Sequence, residues 1–351
     1  MNMEIQIGDR KIGPAQRPYL IAEMSGNHNQ SLDRALEIVE VAAQSGADAI
    51  KLQTYTADTM TLNTRAPGFV IEDPNSLWTG RQLYDLYHEA HTPWEWHRPI
   101  MERANALGIH CFSTPFDDTA VDFLESLDVP AYKIASFECT DLPLIRKVAA
   151  TGKPMIISTG MAKLSEIDDA VRAARTAGAK QIVLLKCTST YPASPDNTNI
   201  VTIPNLRAAT GCVVGLSDHT MGCGVAIAAV ALGATVIEKH FTLRRADGGV
   251  DSTFSMEPAE FAALRAESER AWLSLGTVSY GGSSAEEKSK IFRRSLYISA
   301  DMKAGDVLSA RNMRIIRPGF GLPPKYYDTL MGKRINRDVT VGTPVDWELL
   351  A

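Results

Sequence analysis

The sequence has few cysteines and no pairing among them. Cys111, Cys139, Cys187, Cys212 and Cys223 are odd in number and none forms a CxxC pair. That pattern excludes a disulfide framework and a structural zinc site, and it predicts reduced thiols, mostly in the core. No apolar run reaches the roughly 18 to 20 residues that a membrane-spanning helix needs. The first residues, MNMEIQIGDRKIGP, lack the apolar stretch of a signal peptide, so the chain is expected to be soluble and cytoplasmic, with no membrane partner. An excess of positive charge is missing too: 36 Lys and Arg stand against 41 Asp and Glu, a formal charge of -5. A nucleic-acid-binding surface spread over the molecule is thereby excluded, and any anionic ligand must be held by a local site.

What the chain does have is 351 residues, 45% of them apolar. One domain of roughly 250 residues plus a smaller one fits that length. From Pro18 onward, short β-rich runs alternate with helical periods, the pattern of repeated βα units. The strand candidates cover 18–24, 49–55, 110–116, 131–136, 154–160, 182–188, 213–219 and 236–241. Between the first two, SLDRALEIVEVAAQSG places Leu32, Ala35, Leu36, Val39 and Ala43 at helical spacing, with Gly46 as a stop. Eight such units predict a (β/α)8 barrel over 1–276, with an open doubly wound sheet as the alternative. Residues 56–80 lack periodicity and are expected to form a lid over the barrel mouth.

After Gly276 a polar stretch, 277–290, reads as a connection, and a second domain is expected over 291–351. That segment holds ten Lys and Arg against six Asp and Glu, a charge of +4, which leaves -9 for the rest of the chain. Its short strands and Gly/Pro turns (SLYISA, RIIRPGFGLPP, GTPVD) predict a small β-rich unit.

In such a barrel the functional groups sit at the C-terminal strand ends. Those ends are polar throughout: Glu23, then Lys51 and Gln53, Thr114, Lys133 with Ser136 and Glu138, Ser158, Ser189 with Tyr191, Ser217 with His219, and His240. A lysine inside a barrel strand is costly unless an anion faces it. Lys51 and Lys133 with the serines therefore read as a cradle for a small phosphorylated carboxylate. Taken singly, each serine also reads as a helix cap or a loop hydroxyl. His219 and His240 end adjacent strands and could share one loosely held divalent ion such as Mn²⁺ or Mg²⁺. Asp218 and Asp251 could orient them, or cap a turn. Glu23 and Glu138 stand where a general base is useful, with salt bridges to Lys51 or Lys133 as the plainer reading.

IAEMSGNHN, KLQTYTADTM, FSTPFD, PAYKIAS, IISTGM, GLSDHT and VIEKHFT, in this order and spacing, resemble the sialic acid synthase family, which condenses phosphoenolpyruvate with an amino-sugar aldehyde. FRRSLYISADMKAGDVLSARNMRIIRPGFGLPP is similar to the SAF domain, an antifreeze-like unit that accompanies this family's barrels. Within the family, SGNHN, KLQTYTADTMT and SLWTGRQLYDLY resemble the pseudaminic acid synthase branch. The acceptor that branch implies is 2,4-diacetamido-2,4,6-trideoxy-altropyranose; the N-acetylneuraminate and legionaminic acid branches are the alternatives.

The resemblance implies that Lys51 and Thr114 hold the carboxylate of phosphoenolpyruvate, and that Lys133, Ser136, Ser158 and Ser217 hold its phosphate. It implies that His219 and His240 bind the metal and that Glu23, Gln53, Tyr191 and Asp251 line the sugar side. Arg317 would contact an N-acetyl group in the partner subunit's barrel, in a domain-swapped homodimer. Ser189 stands where neuraminate synthases carry Asn. An apolar contact from Phe116, Tyr55 or Met24 would suit a sugar ending in a methyl group. From a different class, the SAF unit could bind carbohydrate with the barrel as scaffold, or the barrel could be a metal-dependent aldolase.

Overall fold

The computed structural model describes residues 4–74 and 76–351. The eight apolar runs fold as eight parallel strands: β3 (Tyr19–Glu23), β4 (Ala49–Thr54), β5 (His110–Pro115), β6 (Tyr132–Ile134), β7 (Met155–Ser158), β8 (Ile182–Cys187), β9 (Val213–Asp218) and β10 (Val236–His240). They follow β1 (Ile5–Ile7) and β2 (Arg10–Ile12), a small antiparallel hairpin. β10 pairs with β3 and closes the barrel, which decides against the open sheet. The pairing sets Glu23 beside both Lys51 and His240, and Lys239 beside Asp218.

The strands are buried on both faces because helices wrap them. The helix Leu32–Gln44 starts at Ser31, whose hydroxyl accepts from the Arg34 N–H. It buries Ala35, Ile38, Val39 and Ala42; Leu36 and Ala43, expected on the inner stripe, sit at its margin. The 56–80 segment begins with a short helix, Ala57–Met60, capped by Thr56. Farther on, the Trp78 indole donates to the Val250 carbonyl at 3.1 Å. No helix of the described residues is long and apolar enough to cross a membrane.

The chain divides after Gly276 into two compact units. Residues 277–290 are exposed throughout, and a 3-10 segment, Ser284–Phe292, lies across the expected domain start. In the second unit β11 (Ser295–Ile298) pairs antiparallel with β12 (Met313–Ile316) over a small core that includes Leu296, Ile298, Leu308, Leu330 and Val345. GTPVD supplies only a single bridge, Tyr297 to Pro344, not a strand.

Two histidines that sequence left without a role are buried in the barrel unit. The His97 Nε2 lies 2.7 Å from the Thr54 hydroxyl, and the His28 Nε2 3.3 Å from that of Thr92. Burial holds both imidazoles down to about 4. Their folded pKa values lie below the ordinary 6.5, so between pH 6.5 and 4 the unfolded chain binds the extra protons and stability falls as pH falls. Each accounts for up to about 3 kcal/mol over that window. His97→Gln is expected to flatten the decline, measured by urea unfolding at stepped pH; an unchanged slope would remove His97 from the account.

Candidate active site

Because every barrel strand runs the same way, the polar strand ends gather at one mouth. The Lys51 ammonium lies 2.5 Å from Glu23 Oε2 and 3.1 Å from the Thr114 hydroxyl. Glu238, a residue to which sequence reasoning gave no role, stands between the lysines: its Oε1 is 3.6 Å from Lys133 Nζ and 3.9 Å from Lys51 Nζ, and it accepts from the Ser217 hydroxyl at 3.2 Å. The signal was available, since a carboxylate inside a barrel strand is as costly as a lysine there. Gln53 donates to Glu23 Oε1 at 2.9 Å and to the Ser25 hydroxyl at 3.1 Å. The Ser25 hydroxyl in turn donates to Asp251.

These charges compete with burial. Burial alone would lower Lys51, but Glu23 and Glu238 outweigh it and hold the ammonium above its ordinary value. Lys133 is pushed down, chiefly by burial. Burial raises Glu238, yet Lys133 and Lys51 outweigh it and keep the group below the usual carboxylate range. Glu23 and Glu138 are both pushed up to about 7, first of all by burial. Two carboxyl groups that exchange protons near neutrality therefore flank the lysines.

Beside them hydroxyls gather. Ser136 donates to the Cys187 thiol at 3.2 Å, and Ser189 lies 3.6 Å from the same sulfur. The Ser158 hydroxyl is buried without a hydrogen-bond partner among the described residues. Gly160 packs against this cluster: a Cβ there would fall on the Ser189 hydroxyl and 2.9 Å from that of Ser136. Sequence reading took Gly160 as the end of a strand and Cys187 as a core thiol. Their approach to the serines depends on how neighbouring loops meet, which no local pattern encodes.

The imidazoles of His219 and His240 are 5.4 Å apart, centre to centre. His219 Nδ1 lies 2.9 Å from the Thr188 carbonyl, so it donates there and leaves Nε2 free to ligate. Among the described residues the buried His240 Nδ1 has no hydrogen-bond partner; it lies 3.8 Å from Asp251 Oδ2. Among the same residues no three His, Cys, Asp or Glu side chains cluster as a metal cage. Two neighbouring imidazoles, one with an unsatisfied nitrogen, fit an open site whose other positions belong to substrate or water.

An aromatic wall borders the pair. The Tyr191 ring is 4.5 Å from His219 and 5.3 Å from Phe254, Phe254 is 4.9 Å from His240, and Trp78 lies 6.2 Å beyond Tyr191. Of the residues considered for an apolar contact, Tyr55 packs edge-on against Phe116 at 5.3 Å, and Met24 is buried. Phe254 escaped the sequence reading because it lies on no strand end, and Trp78 enters that reading only within the run SLWTGRQLYDLY, with no place at the site. Arg317 is exposed in the second unit, directly after β12.

Comparison with known proteins places the chain in a family. Residues 38–280 match the NeuB family model, and residues 293–351 match the SAF domain. The chain is 42% identical to a pseudaminic acid synthase of Campylobacter jejuni, covering 96% of this chain and 97% of that protein. It is 41% identical to a pseudaminic acid synthase of Helicobacter pylori over 94% and 97% of the two. Among solved structures, an N-acetylneuraminic acid synthetase of Leptospira borgpetersenii in complex with citrate superposes with a TM-score of 0.74 at 31% identity, over 82% of this chain and 95% of that one. With a closed barrel, polar strand ends gathered at one mouth and a C-terminal β unit, the chain belongs to the NeuB family and carries a SAF domain.

Proposed function

We propose that the protein is a pseudaminic acid synthase, condensing phosphoenolpyruvate with 2,4-diacetamido-2,4,6-trideoxy-altropyranose and water to give pseudaminate and phosphate. The observation that carries this reading is the convergence of two buried lysines from β4 and β6 on one point, Glu238 Oε1, beside a cluster of hydroxyls and a pair of imidazoles. Identity above 40% to two pseudaminic acid synthases supports the choice of acceptor.

In this reading Lys51 and Thr114 take the donor's carboxylate, and Lys133, Ser136, Ser158, Ser189 and Ser217 take its phosphate. Glu23, Gln53, Tyr191 and Asp251 line the sugar. His219 and His240 would hold Mn²⁺ or Mg²⁺, which as a Lewis acid polarises the sugar's carbonyl oxygen. The donor's methylene carbon bonds to the aldehyde carbon, and positive character develops at the carbon bearing the phosphate. Water adds at that carbon, and the C–O bond to phosphate breaks. Lys51 and Lys133, both buried, offset the donor's negative charge where such contacts are stronger than in bulk water. Glu23 and Glu138, both near 7, can take and return protons as water adds and phosphate leaves. The reaction is cytoplasmic in this proposal, in keeping with five free thiols.

The test is mass spectrometry of the product formed from phosphoenolpyruvate and competing amino-sugars, with phosphate release followed in parallel. The diacetamido trideoxy sugar should be consumed first. Preference for N-acetylmannosamine or for the legionaminic acid precursor would overturn the assignment.

In the proposed swapped homodimer, Arg317 reaches an acetamido group of the sugar in the partner's barrel. Arg317→Ala is expected to raise the KM for the sugar about 10-fold or more, the loss of one hydrogen bond from a charged group, and to leave the KM for phosphoenolpyruvate unchanged. Equal rises for both would argue against this placement.

A further inference from the structure

The residues directly before His219 and His240 form a buried ion pair that the reaction does not use. Lys239 and Asp218 face each other across β10 and β9, at most 3% exposed. Strand alternation turns them outward, away from Glu238, Ser217 and the histidines that face the mouth. Lys239 Nζ donates to Asp218 Oδ2 at 3.0 Å, to the Thr220 carbonyl at 2.5 Å and to the Gly222 carbonyl at 3.0 Å. All three ammonium hydrogens are thereby engaged. Asp218 Oδ1 accepts from the Thr220 N–H at 2.9 Å and from its hydroxyl at 2.8 Å.

Stability is a weak reason for such a pair, because apolar residues of similar volume usually serve a buried position as well or better. What this network does is geometric. It ties together the ends of β9 and β10 and the turn that leaves His219. His219 is then fixed from both sides, by that turn and by the Thr188 carbonyl. Among the described residues His240 Nδ1 has no hydrogen-bond partner, so its place depends on where β10 is held against its neighbours.

We propose that Asp218 and Lys239 are positioning residues that set the separation of the two imidazoles and so the affinity of the site for a divalent cation. This rests on the metal-binding reading of His219 and His240 given above.

The test uses the full chain and two separate calorimetric titrations, one with MnCl₂ and one with phosphoenolpyruvate alone. Asp218→Asn combined with Lys239→Met removes both charges together and leaves neither buried alone. The double variant is expected to bind Mn²⁺ about 10- to 100-fold more weakly, the usual scale for an outer partner of a ligand. Its affinity for phosphoenolpyruvate should stay within about twofold of the parent's, and its lost turnover should return as Mn²⁺ is raised. Unchanged Mn²⁺ affinity overturns the proposal, and so does a parallel loss for both ligands, which would mean general loosening. If the double variant does not fold, Thr220→Val decides: it keeps both charges and deletes only the hydroxyl that steadies Asp218. Weakening of Mn²⁺ alone by severalfold supports the strut, and no change overturns it. A parent protein that binds Mn²⁺ no better than His240→Ala would instead overturn the metal reading, and the strut with it.

Discussion

Lys133→Met is expected to lower kcat/KM for phosphoenolpyruvate by about 10² to 10³, the range seen when one preorganised donor is removed from a site that stabilises developing charge. The thioether fills nearly the same space, so the loss is electrostatic. Thermal stability should fall modestly, because burial disfavours the Lys133 ammonium while the buried Glu238 loses one of the two lysines that keep it low. Glu238 keeps Lys51 at 3.9 Å and the Ser217 hydroxyl at 3.2 Å, so it is not left as a lone buried charge. The split between activity and stability is the informative readout. Parental turnover would remove Lys133 from the phosphate site, whereas a large drop in thermal midpoint with modest kinetic loss would make it a structural partner of Glu238.

The barrel was legible because its signals are local and repeated. Each strand is a short apolar run, and each helix carries a stripe that a window of a dozen residues reveals. Closure is the non-local step, and counting eight units anticipated the pairing of β10 with β3. The charged part of the site was legible for a related reason: a lysine in a barrel strand is expensive, so Lys51 and Lys133 announced an anion. Sequence reading sought that anion in a ligand or in Glu23 and Glu138; the structure pairs Glu23 with Lys51 and also sets Glu238 between the two lysines. The aromatic wall was not legible, since Trp78 and Phe254 come from segments without periodicity and meet Tyr191 only once the loops have packed. The second unit was read less fully, because its chain runs mostly through turns and single bridges that leave little alternation.

Gly160 carries the other large effect. Its backbone is in a conformation any residue can adopt, unlike the glycines of this chain at positive φ. Contact alone demands glycine there: an added methyl would fall on the Ser189 hydroxyl and within 3.0 Å of the Ser136 Cβ. Ser189, half-buried, can turn away cheaply, but Ser136 is buried and must shift with its loop. Gly160→Ala should therefore cost about 1–3 kcal/mol of stability, the usual scale of overpacking. The loss of function should be larger. Two hydroxyls displaced from a phosphate, each worth about 1.5–3 kcal/mol as partners of a charged group, predict at least a hundredfold rise in the KM for phosphoenolpyruvate. Ser189→Ala in the same chain separates the two effects. Removing the Ser189 hydroxyl leaves the contact with the buried Ser136 in place, so the double variant should recover little stability while phosphoenolpyruvate affinity stays low, near-additive behaviour that a double-mutant cycle measures directly. Full recovery of stability would make Ser189 the seat of the strain, and an unchanged KM in Gly160→Ala would take the phosphate away from these hydroxyls.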